Sequence, residues 1–61
     1  MDALEQAILA LTSATGDLDL IARFSVVDAN EVADALLTVE PDSAEGVALR
    51  YLAKYNPVAS E

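Results

Sequence analysis

The groups best suited to chemistry in this 61-residue chain are four serines and several closely spaced carboxylates. Ser13, Ser25, Ser43 and Ser60 carry hydroxyls, and a hydroxyl becomes a nucleophile only when a base takes its proton. The chain contains no histidine and no cysteine, so the commonest general base and the strongest nucleophile are both absent. Asp17 and Asp19 form a carboxylate pair, but acids at a helix start serve first as caps. Asp17-Leu18-Asp19 and Asp28-Ala29-Asn30 have the spacing of the first ligands of a calcium loop. Neither is followed by the glycine at position 6 or the glutamate at position 12 that such a loop needs. Gly16 and Gly46 stand alone, which leaves no glycine-rich loop for a phosphate. The expectation is a non-enzyme without metal or cofactor.

What remains is binding, and charge gives it a direction. Eleven acidic residues against three basic ones give a formal net charge of −8. Phosphate backbones and anionic membranes repel such a chain, whereas basic protein patches attract it. A hydrophobic fraction of 54% is too high for a disordered acidic tail. A chain this short buries only about 60% of the surface its unfolded form exposes, and neither a disulfide nor a zinc site reinforces it. Tight helix packing, or burial against a partner or second copy, must supply the rest. The N-terminal residues carry no positive region, and the apolar run Ala7–Leu11 is far short of a membrane span. A cytoplasmic location is expected.

Helical periodicity defines the elements that would position a binding surface. Leu4, Ala7, Ile8 and Leu11 fall on one stripe of a helix from about Asp2 to Ala14, with Gly16 as its stop. A second, shorter helix begins at Asp17. Its Leu18, Leu20, Ile21 and Phe24 spread over most of the circumference, which predicts a central, well-buried element. The stretch 24–27 reads either as a turn between helices or as a short extended piece. Asp28 sits three residues before Glu31, an acidic form of the capping-box spacing. The helix that follows places Val32, Ala35, Leu36 and Val39 inward and ends at Pro41. Asp42 and Ser43 can cap a last helix with the stripe Ala44, Val47, Ala48, Tyr51, Leu52 and Tyr55. Arg50 and Lys54 lie near its C-terminus, where they suit the helix dipole. Asn56-Pro57 ends it. The predicted fold is all-α, a compact bundle of about four short helices, with one domain over 1–56 and a tail over 57–61.

Three leucines do not fit these stripes. Leu9, Leu37 and Leu49 each lie about 140° from the centre of their helix's main stripe, at about 100° per residue. Four short helices can hardly bury all three, so at least one is expected at an apolar contact surface.

Two stretches resemble known families. Leu20 to Leu37, with "Ile-Ala-Arg" leading through a turn into "Glu-Val-x-x-Ala-Leu", resembles the core of a winged-type helix-turn-helix domain. With the preceding helix, that likeness covers roughly the first forty residues. It implies nucleic-acid binding, yet the would-be recognition helix displays Asp28, Asn30, Glu31 and Asp34, where a groove-reading helix needs donors such as arginine. Leu36 to Gly46 resembles the junction between tetratricopeptide repeats, without the matching positions upstream. Asp42-Ser43 is similar to the attachment site of a carrier protein, although Ala44 stands where leucine is usual and a helix cap accounts for both residues.

The sequence therefore points to a small acidic protein-interaction module. It would bind a basic protein partner through a carboxylate-rich face including Glu31 and Asp34 and an apolar strip including Leu9, Leu37 or Leu49. An inhibitor that imitates the charge of DNA is a sharper form of this expectation. The alternatives are a structural subunit of a homo-oligomer or larger assembly, and a helix-turn-helix nucleic-acid-binding regulator with only Arg23, Arg50 and Lys54 to meet phosphates. Adaptation to a salt-rich setting would also explain the acidity.

Overall fold

The computed structural model describes residues 2–58. Met1 and residues 59–61 lie outside, and with them Ser60 and most of the tail expected at 57–61. Four helices follow one another: α1 (Ala3–Ser13), α2 (Leu18–Phe24), α3 (Ala29–Leu36) and α4 (Ala44–Tyr55). The all-α expectation holds, and the described residues contain no strand. The Cα radius of gyration is 10.6 Å, against about 10.5 Å for a compact chain of this length.

Three of the four helix starts are capped by a short polar side chain. Asp2 accepts from the Glu5 N–H at 2.8 Å, Asp28 from the Asn30 N–H at 2.8 Å and Ser43 from the Gly46 N–H at 3.0 Å. These bonds satisfy donors that the helix itself leaves without a partner. At Asp28 the bond goes to the Asn30 amide and not to that of Glu31, so α3 starts with a simple cap and not a capping box. Asp17 occupies the cap position of α2 without a side-chain bond.

The helix ends correct two expectations. No described glycine has a positive φ, so Gly16 is not a left-handed stop, and α1 already ends at Ser13. Likewise α3 ends at Leu36, well before Pro41. At each C-terminus a polar side chain takes a carbonyl of the last turn. Thr12 Oγ1 donates to Leu9 O at 3.1 Å, and Ser25 Oγ to Ile21 O at 2.7 Å. Thr38 Oγ1 donates to Ala35 O at 3.0 Å, and Asn56 Nδ2 to Leu52 O at 3.1 Å. Hydroxyls and amides that bond locally to the backbone compete with further helix growth.

The centre of the bundle is α4, not α2. Each of α1, α2 and α3 packs on α4, and α1 also packs on α2. Leu49, Leu52 and Ala48 of α4 meet Ala7 and Leu11 of α1, Ala22 of α2 and Val32 of α3 in one core. The alanines let helix axes approach closely, so a small core still excludes water. In α2 the buried stripe runs through Leu18, Ile21, Ala22 and Ser25, the i, i+3, i+4, i+7 pattern of one face. Leu20 and Phe24 therefore point outward. Phe24, expected in the core, is 74% exposed.

Candidate protein-interaction surface

Every described carboxylate is exposed, and the distribution of cations decides which of them are compensated. Lys54 Nζ lies 3.8 Å from Asp19 Oδ1, both side chains more than half exposed. The Tyr55 ring is flanked by both Lys54, 5.3 Å from its centroid, and Arg23, at 5.7 Å. Both distances fall within the range in which a cation is attracted to a ring face. Two of the three cations are thus gathered at the junction of α2 with the C-terminal end of α4. Arg50 lies one turn before Lys54 on α4, beside a shallow depression that also touches Val47 and Tyr51.

The opposite sign dominates elsewhere. Glu31 and Asp34 are exposed on α3, and Asp19–Lys54 is the sole ion pair among the described residues. Leu37 follows Asp34 by three residues at the C-cap of α3 and is 84% exposed. The steps Glu31, Asp34 and Leu37 wind along adjacent positions of one side of the helix. Asp34 is thus a surface neighbour of both Glu31 and Leu37, which are themselves two steps apart.

Leu9 lies elsewhere, 56% exposed on α1. It lines a groove with Glu5, Ile8 and Thr12 of its own helix and Glu45 from the first turn of α4. Leu49 does not reach the surface. It is fully buried because α4 is covered on three sides, so a residue far from its main stripe still faces a neighbouring helix. Leu49 belongs to the core and not to a contact strip.

Sequence reasoning missed an exposed apolar group on α2 and the turn after it. Leu20, Phe24 and Val26 are all exposed, the first two one turn apart on α2 and the third in the turn after it. Val26 also borders a depression against Ala3, Gln6 and Ala7 of α1. The signal was available. Ala22 and Ser25 complete a full inward stripe with Leu18 and Ile21, leaving Leu20 and Phe24 on the outside.

The described residues contain no group of three or more carboxylates placed to hold a metal ion. No helix among them is long and apolar enough to cross a membrane. Comparison with known protein families, with curated proteins and with solved structures finds no match for this chain.

Proposed function

We propose that the chain is a protein-interaction module that binds a basic protein partner in the cytoplasm. The observation that carries this reading is Leu37, 84% exposed one turn after the exposed carboxylate Asp34, with the exposed Glu31 one turn before Asp34. An apolar side chain that far into solvent contributes affinity only when something covers it. Uncompensated carboxylates around it favour a cationic covering surface, raise the rate of encounter and exclude acidic competitors. Phosphates are disfavoured by the same charges, so a basic protein fits better than a nucleic acid. A partner whose own basic surface binds nucleic acid would be inhibited while the module occupied it.

The test is a capture experiment with the tagged chain and its Leu37→Ser variant run side by side at low and moderate salt. One basic protein, retained by the parent at low salt and depleted both by moderate salt and by the variant, is the expected result. Equal retention by parent and variant would remove Leu37 from the contact.

A second reading, a self-assembling structural subunit, is favoured by the exposed Leu20, Phe24 and Val26. Leu20 and Phe24 flank Arg23 along α2, and Val26 lies in the turn that leads into α3. This second reading predicts a sedimentation profile that depends on protein concentration and loses that dependence in Phe24→Ser.

A further inference from the structure

We propose that the groove between α1 and the first turn of α4 seats an amphipathic helix from a basic protein. An apolar side chain of that helix would lie over Ile8 and Leu9, with lysine or arginine toward Glu5 and Glu45. The proposal rests on the interaction-module reading and gives it a second contact site with its own chemistry.

Glu5, Ile8, Leu9 and Thr12 are spaced i, i+3, i+4 and i+7, so they form one continuous face of α1. Ile8 is half-buried and serves as the floor, while Leu9 stands up from it. Glu45 closes the groove from α4. The Thr12 hydroxyl donates its proton within its own helix, to Leu9 O. The polar lining therefore offers acceptors: two carboxylates and the Thr12 lone pairs. Neither carboxylate has an ion-pair partner among the described residues. Such a lining selects an occupant that is apolar in the middle and cationic at its flanks.

The same features choose among occupants. A second copy brings another net charge of −8, with Arg23 and Lys54 already against Tyr55 and only Arg50 left to meet two carboxylates. An anionic membrane is repelled. The groove is walled by helices and presents no sheet edge to pair with an extended peptide, so a helix laid into it is the fitting mode.

The test uses the full chain, isotope-labelled for NMR, and three synthetic peptides. The first is a helical peptide with leucines on one face flanked by lysines. The second has the same composition in scrambled order, and the third carries glutamate in place of lysine. The first peptide is expected to move the amide signals of Glu5, Ile8, Leu9, Thr12 and Glu45 most. The other two should bind at least about tenfold more weakly, since each lacks one half of the complementarity. Leu9→Ser should weaken the first peptide about tenfold with helicity unchanged, because its side chain is mostly in solvent. The double variant Glu5→Gln/Glu45→Gln should weaken it about tenfold at low salt and little at high salt. Equal binding of the scrambled peptide would overturn the groove in favour of charge alone. Binding centred on Glu31, Asp34 and Leu37 would overturn the groove and leave the module reading intact. No binding of any peptide would overturn the groove, and the module reading would then stand or fall on the capture experiment with Leu37→Ser.

Discussion

The Asn56 side-chain amide donates to the Ser25 carbonyl at 3.2 Å, tying the C-terminus of α4 to the C-terminus of α2 across 31 residues of chain. The same amide nitrogen reaches Leu52 O at 3.1 Å, so one side chain both ends α4 and holds the turn that leads into α3. Asn56→Ala leaves the partly buried Ser25 carbonyl without this donor. The expected cost is about 1–2 kcal/mol, read from the shift in urea midpoint. Amide exchange should accelerate first at residues 25–28. If protection falls evenly over all four helices, the bond contributes to global stability only and does not hold the turn locally.

Gly46 is where the loop after α3 presses on α4. A Cβ placed there would strike the Glu40 carbonyl oxygen and lie 2.9 Å from Pro41 O. Both atoms are backbone, and Glu40 O is itself held by the Ser43 amide at 3.1 Å and the Ser43 hydroxyl at 2.6 Å. Alanine is the better helix former by about 1 kcal/mol, but overpacking against fixed backbone costs about 1–3 kcal/mol. Gly46→Ala is therefore expected to destabilise, by about 1 kcal/mol net. Gly16→Ala is the control. No atom lies within 4 Å of its Cβ position and its φ is not positive, so a gain of about 0.4–1 kcal/mol is expected from the less flexible unfolded chain. Thermal melts of the two variants should move in opposite directions.

The helices were legible in the sequence because short-range rules set them. The stripes of α1 and α3, the Ser43 cap and the Asn56 stop all depend on residues within one or two turns. What the sequence hid was which helix lies in the middle. Periodicity reports how many faces of a helix are apolar, not how many neighbours cover it. Leu49 is misplaced for that reason, whereas Phe24 is misplaced by reading its helix from its large side chains alone. The large side chains of α2 suggested a buried helix, while the inward positions were held by Ala22 and Ser25. The alanine-rich α4 read as one-sided, and small side chains are what allow three helices to crowd around it. Of the expected contact residues, Leu9, Leu37, Glu31 and Asp34 reach the surface. Their exposure follows from local geometry, whereas the burial of Leu49 follows from topology.

Adjacent leucines on α3 and the core leucine of α4 separate folding from binding. Leu49 is fully buried, and Leu49→Ala should cost about 2–5 kcal/mol. A core of this size supplies about 3–5 kcal/mol in total, so the variant is expected to be largely unfolded by circular dichroism. Leu36 is only half-buried, and its alanine variant should lose less than Leu49→Ala does. Leu37→Ser should stay within about 0.5 kcal/mol of the parent, as surface changes usually do. A collapse of helicity in Leu37→Ser would place that side chain in the core and remove the apolar half of the proposed contact.

Salt should stabilise this fold, and the sign follows from where the charges lie. Every described carboxylate is in solvent, and among the described residues a single ion pair, itself more than half exposed, opposes the repulsion among them. Such a pair contributes less than about 1 kcal/mol, while the repulsion grows with the whole net charge of −8. Raising sodium chloride from about 0.01 M to about 0.1 M shortens the screening length from about 30 Å to about 10 Å. The thermal midpoint is expected to rise by about 5 °C, the equivalent of roughly 1 kcal/mol for a domain this small. Chloride is preferable to sulfate because sulfate also strengthens apolar burial by exclusion from the surface. A falling midpoint would mean that the cluster of Asp19, Lys54, Arg23 and Tyr55 outweighs the repulsion. Complete loss of helicity at low salt would mark the acidity as adaptation to a salt-rich setting. The carboxylates would then no longer argue for a basic partner, and only the exposed leucines would.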